Sequence, residues 1–324
     1  MTRRRRLVRG TAVALAIVTT GGFVGAVLAT LVMTRQGSPE RLRSRTGRLV
    51  RVQTRPLQHA GPSRLDSLEL HSSTGLDVHG LVRVPETGRP PYAGAVVVGG
   101  MKRGSRIVTV AGLDAIARNA VIVSLDYPIQ LRRDSWRGVA ALGTLARVRP
   151  AAFDAVCDVL LLTDYLSRRP DVDPQRIFLI GGSLGAVVAV VAGGIDARPA
   201  AVVLLYGGGN LGPLIAHTLE HPAQSVHVPH WATPVVGRAL AWWLTPLAPE
   251  RFAPAIAPRT LIMVNGAGDS LVPRRYVMTL YNAAREPKEL VWVEGEHVQP
   301  SETALLERLS GVVTARLVAH GLLR

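Results

Sequence analysis

The stretch Ile177-Phe-Leu-Ile-Gly-Gly-Ser-Leu-Gly-Ala186 constrains the fold more than any other part of the chain. Residues 177–180 are uniformly apolar and read as a strand buried on both faces. Gly181-Gly-Ser-Leu-Gly185 follows at once, and the Ala/Val-rich stretch 186–192 reads as a buried helix. A chain that passes from buried strand to buried helix in five residues must turn sharply. The neighbours of such a turn must be small, which glycines two before and two after Ser183 provide. The serine oxygen then projects from the end of the strand as a candidate nucleophile, and the amide of Leu184 at the helix start faces a developing negative charge. Glycine-rich turns of this kind also occur as bare connections, so the serine counts only if partners for it are present.

Strands and helices alternate around this turn. Strands are expected at 95–99, 121–125, 201–205, 260–264 and 289–293, and helices at 107–119, 151–168, 276–284 and 303–319. Repeated βα units imply a mostly parallel, doubly wound α/β sheet. Ahead of them, 65–71 and 76–84 flank the turn Ser73-Thr-Gly75 and read as a hairpin. One stretch breaks the alternation. Residues 207–258, between two strands, are far too many for an ordinary connection. They hold Gly207-Gly-Gly209 and an apolar segment with Trp242-Trp243, and are expected as a cap inserted over the sheet edge. That cap is read equally as a packing helix pair and as a lid over an apolar pocket.

The N-terminal part has a different character. Thr2-Arg-Arg-Arg-Arg-Leu-Val-Arg9 is basic, and residues 10–34 carry no charged side chain. That length spans a bilayer as a helix, with the arginines favouring a cytoplasmic N-terminus and an extracytoplasmic domain. Export with cleavage after Ala29 is the alternative, and the arginine run also fits a twin-arginine signal. The expected organisation is therefore a tail and transmembrane anchor or signal at 1–35, a polar linker at 36–64 with some β content near Val50 to Val52, and a domain at 65–324. The net charge of +15 is carried almost wholly by arginine, since Lys102 and Lys288 are the only lysines. Aromatic residues are sparse at 5%, and the arginines form no stripe with them, which argues against nucleic acid as a partner. Anionic lipid beside the N-terminal segment suits the charge better. A single cysteine, Cys157, excludes an internal disulfide framework.

A serine hydroxyl attacks at neutral pH only with a base in reach and a group that orients the base. Both are expected in loops after later strands, in the order Ser, acid, His. After 260–264 comes Asn265-Gly-Ala-Gly-Asp269-Ser-Leu-Val-Pro273, and after 289–293 comes Glu294-Gly-Glu-His297. From about residue 65 to 322 these motifs resemble the α/β-hydrolase superfamily, and within it the dienelactone-hydrolase-like and acyl-peptidase-like esterases. The approach Pro170-Asp-Val-Asp-Pro-Gln-Arg176 to the turn, Gly268-Asp269 with Val272-Pro273, and Gly295-Glu-His297 carry the resemblance. It implies Ser183 as nucleophile, Asp269 as orienting acid and His297 as general base. It further implies an oxyanion hole from the amides of Leu184 and Met101, no cofactor, and a small-molecule acyl ester as substrate. Thioester hydrolysis, acyl transfer and a non-catalytic scaffold for binding at the envelope are the alternatives on the same fold. The chain departs from the family where Gly99-Gly-Met-Lys-Arg-Gly104 replaces the frequent His-Gly, and where serine replaces the cysteine of dienelactone hydrolases proper.

Other candidates weigh less. Asp126 also ends a strand, but a loop-bonding role suits it better. Asp171 and Asp173 precede the central strand, on the wrong side of the sheet, and read as turn residues. Glu296 adjoins His297 but is expected to point elsewhere. His217-Thr-Leu-Glu-His221 matches an inverted zinc-protease pattern, yet Pro222 ends any helix there and the segment lies inside the insert.

Overall fold

The computed structural model describes residues 32, 35–100, 104–129, 140–221, 230–298 and 302–324. Nine strands form one sheet in the order β1-β2-β3-β5-β4-β6-β7-β8-β9. The strands are β1 (Leu49–Ala60), β2 (Ser63–Ser72), β3 (Asp77–Pro85), β4 (Tyr92–Val98), β5 (Ala120–Leu125), β6 (Val172–Gly182), β7 (Ala201–Leu205), β8 (Thr260–Gly266) and β9 (Lys288–Val293). The first three form an antiparallel meander joined to β5, and β5-β4-β6-β7-β8-β9 run parallel. The strand order reverses between β5 and β4, and the parallel strands then run outward to β9.

The core shows why the central strands read as unbroken apolar runs. In β6, Ile177 and Leu179 pack into the cluster on one face, and Phe178 and Ile180 into the cluster on the other. Successive side chains of a strand point to opposite faces, so a strand covered on both sides has no position for a polar residue. One face is covered by the helix Ala140–Ser167 and the helix Leu184–Ile195, which supply Val159, Leu162, Val188 and Val191. The other is covered by Thr303–Ala319, through Leu309, Val313 and Leu317, and by the segment around Ile116.

Two expectations are corrected. Residues 36–64 are not a linker. Pro39–Thr46 is a helix, α1, started by Ser38, whose hydroxyl accepts from the Arg41 amide at 3.3 Å. It docks through the buried Leu42 and the Arg45–Asp154 ion pair at 2.6 Å. Then β1 pairs with β2 along its whole length. Most of its residues are exposed because it is an edge strand, and its arginines and Pro56 discourage further pairing. The same composition that blunts an edge strand reads as a linker. The second correction concerns 107–119, where a helix is expected. That stretch is broken into 3-10 segments (Gly104–Thr109 and Ala111–Leu113) and the single α-turn α2 (Asp114–Ala117). Gly112 lies so close to the C-terminal helix that a Cβ on it would sit 2.9 Å from the Leu306 carbonyl oxygen, which leaves no room for a continuous cylinder.

The expected bilayer span is neither met nor overturned by the described residues. No helix among the described residues is long and apolar enough to cross a membrane, and the stretch 10–34 lies, but for Val32, outside the described residues. In chain order the remaining helices are α3 (Ala140–Ser167), α4 (Leu184–Ile195), α5 (Leu211–Glu220), α6 (Thr233–Leu244), α7 (Pro249–Phe252), α8 (Arg274–Ala283) and α9 (Thr303–Ala319). The insert between β7 and β8 is thus helical. Its two long helices approach closely through glycine, since a Cβ on Gly237 would sit 2.8 Å from that of Ala216.

Candidate active site

The turn after β6 has the geometry its composition implies. Ser183 lies between β6 and α4 with φ 54° and ψ −116°, a conformation that costs a non-glycine residue about 1–3 kcal/mol. Its neighbours hold it there. A Cβ on Gly181 would sit 2.6 Å from that of Ala189, and one on Gly185 would sit 2.8 Å from the Gly99 carbonyl oxygen. The Ser183 amide donates to the Leu205 carbonyl of β7 at 2.8 Å, and its carbonyl accepts from Ala186 at 3.0 Å in the first turn of α4. Leu184, 40% exposed, opens that helix, so its amide belongs to the positive end of the helix dipole.

The acid and histidine loops leave adjacent parallel strands, β8 and β9, on the same sheet edge as the turn. His297 Nε2 lies 3.2 Å from Ser183 Oγ, and His297 Nδ1 lies 2.8 Å from Asp269 Oδ2. The other carboxylate oxygen, Oδ1, accepts from the amides of Leu271 at 2.8 Å and Val272 at 2.9 Å. The Asp269 side chain is 1% exposed and that of His297 10%. A carboxylate so buried is stabilised by the two amides and the imidazole together. The arrangement can pass a proton from the hydroxyl to the imidazole while the carboxylate fixes the ring tautomer.

Met101 lies outside the described residues. Up to Gly100 its loop passes the serine, for a Cβ on Gly100 would sit 3.9 Å from that of Ser183. The Tyr127 hydroxyl donates to the Gly99 carbonyl at 2.6 Å and anchors this loop; burial raises its phenol pKa well above the ordinary range. Asp126 accepts from the Ser105 hydroxyl at 2.6 Å and the Ser105 amide at 3.1 Å, so its carboxylate bonds the segment that follows this loop. Asp171 and Asp173 pair with Arg169 and Arg176 at the opposite end of β6. Glu296 turns away from His297, and its carboxylate accepts from the Ser270 hydroxyl at 2.9 Å and the Ser270 amide at 3.2 Å. His217 and His221 of the cap also meet Ser270: one at its carbonyl, 2.7 Å, the other at its hydroxyl, 3.1 Å. Among the described residues no group of three His, Cys, Asp or Glu side chains is disposed to hold a metal ion.

Tyr206 is a part of the site that the sequence reading missed. It follows β7 with φ 55°, is 1% exposed, and sets its ring edge-on to His297 with centroids 5.0 Å apart. Burial, and next the charge of Asp269, push its phenol up to about 12. It walls one side of the imidazole and stays neutral. The available signal was its place, directly after a buried strand and before three glycines. Those glycines are packing requirements: a Cβ on Gly208 would meet Val272, and one on Gly209 would meet Glu250.

With the sheet and this site in hand, comparison with solved structures decides the fold. Acetyl xylan esterase 1 of a Thermoanaerobacterium species superposes with a TM-score of 0.61 over 88% of this chain and 93% of its own, at 15% identity. The chain has the α/β-hydrolase fold. No family model matches the sequence. Uncharacterized protein Rv2307c of Mycobacterium tuberculosis is 32% identical over 148 residues, which are 45% of this chain and 46% of that one. The matched part is thus about half the length of that relative. Uncharacterized protein YfhR of Salmonella typhi is 24% identical over 245 residues, 73% of this chain and 76% of its own.

Proposed function

We propose that this protein is a serine hydrolase that cleaves carboxylic esters through an acyl-enzyme on Ser183. The observation that carries the reading is the unbroken chain of contacts from the Ser183 hydroxyl through His297 to the buried Asp269 carboxylate. Esterases among proteins of the same fold support ester hydrolysis in general. In the first half-reaction Ser183 Oγ attacks the carbonyl carbon and its proton passes to His297 Nε2. The amides of Leu184 and Met101 hold the oxyanion. The bond to the alcohol oxygen then breaks, and His297 returns the proton to the leaving alcohol. In the second half, water attacks the acyl carbon with His297 again taking its proton, and Ser183 is regenerated. Asp269 keeps Nδ1 protonated throughout and stabilises the imidazolium.

The stretch 10–34 tethers the domain to a membrane, with the domain on the extracytoplasmic side; its 25 uncharged residues and the arginines ahead of them support this. The helical insert serves as the cap over the ester site. A fluorophosphonate probe tests the central reading. It is expected to label the wild-type protein on Ser183 and to leave Ser183→Ala unlabelled, while short p-nitrophenyl esters are turned over by the wild type and not by His297→Ala. A folded wild-type protein that neither reacts with the probe nor hydrolyses any ester, thioester or lactone would overturn it.

A further inference from the structure

The cap helix α6 carries its apolar side chains on the wrong face for a helix in water. Val235, Arg238, Ala239 and Trp242 recur at helical spacing and are all exposed, with Trp231 one turn before them and Trp243 on the flank. Trp231 is 81% exposed, Val235 66%, Trp242 42% and Trp243 36%. The buried positions, Thr233 and Gly237, are small. An exposed stripe of tryptophan and aliphatic residues bearing an arginine is what a helix lying in a membrane interface presents.

The surroundings of the stripe add positive charge. Arg149 of α3 donates from Nε to the Trp243 carbonyl at 3.0 Å, and its guanidinium lies over the Phe153 ring at 5.2 Å. Its Nη2 is buried with no hydrogen-bond partner among the described residues. Arg149 faces an open cavity of about 470 Å³ that Arg41 and Arg45 of α1 also line. Of these, Arg45 is paired with Asp154. The chain also enters the domain here. A Cβ on Gly37 would sit 2.7 Å from that of Pro246, just past the end of α6. The uncharged stretch 10–34 therefore joins the domain beside the tryptophan stripe.

We infer that the exposed stripe of α6, with Arg238 on it and Arg41 and Arg149 beside it, is a docking surface for an anionic lipid bilayer. The tryptophans enter the headgroup–acyl boundary and Arg41 and Arg238 meet lipid phosphates. The membrane then fixes the orientation of the cap as well as the attachment point of the chain. The inference extends the tether reading to a second contact, and its test does not depend on hydrolysis.

The test uses the full chain with vesicles of phosphatidylcholine and phosphatidylglycerol, in which part of the phosphatidylcholine carries bromine near the headgroup end of its acyl chains. Bromolipid is expected to quench tryptophan emission. Replacing Trp231, Trp242 and Trp243 together by Phe, which keeps the face apolar, is expected to remove more than half of the quenchable signal. Trp292→Phe, on β9 and outside the stripe, is expected to leave it unchanged. Arg41→Gln with Arg238→Gln is expected to lower the bromolipid quenching several-fold on anionic vesicles and little on neutral ones. Thermal melts confirm that each variant is folded. Quenching that survives loss of the three tryptophans overturns the inference. So does a stripe shielded from aqueous acrylamide without bromolipid quenching, which would mean that the chain itself or a second copy covers it.

Discussion

Asp269→Asn tests the site with the least change of shape. The carboxylate has two unlike environments: Oδ1 accepts two backbone amides, from Leu271 and Val272, and Oδ2 faces His297 Nδ1. An asparagine must choose which end carries its NH2. Directing NH2 at the two amides sets donor against donors and leaves two buried N–H groups unpaired, at about 1–3 kcal/mol each. Directing it at His297 costs only a change of ring tautomer. The second arrangement wins, so Nδ1 becomes the acceptor and Nε2 carries the proton. An imidazole protonated on Nε2 cannot take the proton from Ser183, 3.2 Å away. The expected loss in kcat is about ten-thousandfold, which corresponds to about 5.4 kcal/mol of transition-state stabilisation. KM is expected to change little, because the Asp269 side chain is only 1% exposed. The melting temperature is also expected to change little, because both backbone amides keep their acceptor. The assay is steady-state hydrolysis of a short p-nitrophenyl ester with a calorimetric melt on the same sample. Asp269→Ala serves as the contrast, losing activity and stability together. A folded Asp269→Asn protein that keeps more than about a tenth of wild-type kcat would refute the tautomer argument.

Gly185→Ala at the turn is expected to destabilise the protein by about 1–3 kcal/mol, because its Cβ would press on the backbone at Val98 and Gly99. Displacing Ser183 by about 1 Å is expected to lower kcat about a hundredfold beyond that; a melt and a kinetic assay at saturating ester separate the two effects. Asp158 on α3 is 2% exposed, and burial first, then Asp154, raises its pKa well above the ordinary carboxylate value, with Arg45 opposing. The folded state therefore holds its proton at a pH where the unfolded chain has lost it. Its contribution is fully present below the unfolded pKa and is lost as pH rises toward the folded one. Asp158→Asn is expected to melt close to wild type at acid pH and increasingly above it as pH rises through neutrality. An advantage that stays constant or shrinks with rising pH in a series of melts would refute this assignment.

The parallel half of the sheet was legible because burial on both faces forces an unmistakable pattern. A strand such as Ala201–Leu205, which carries no polar residue at all, has no other place to go. The three chemistry-bearing loops were legible for a related reason: each follows one of those strands directly, so their shared sheet edge follows from the parallel direction alone. The edge of the sheet was legible only as some β content near Val50 to Val52, within a segment expected as a linker. β1 is exposed along nearly its whole length, and nothing in its composition separates a strand that pairs on one side from a segment that pairs on none. Tyr206 was not legible, since its contact with His297 joins residues far apart in sequence through two backbone turns that leave no local pattern. The meeting of His217 and His221 with Ser270 had a visible signal, two histidines four residues apart. That spacing serves metal binding and hydrogen bonding to a neighbouring loop equally well, so it names a shared face and not a partner.

Ser270 gives that shared face a consequence. It directly follows Asp269, its amide and hydroxyl donate to Glu296, which directly precedes His297, and its carbonyl and hydroxyl meet the two cap histidines. One residue therefore ties the acid loop, the histidine loop and the cap. The loops leave neighbouring strands and would hold their spacing through β8 and β9 alone, so the serine is not needed to bring Asp269 to His297. What it adds is a link between that pair and α5, and α5 packs on the α6 helix that carries the exposed tryptophans.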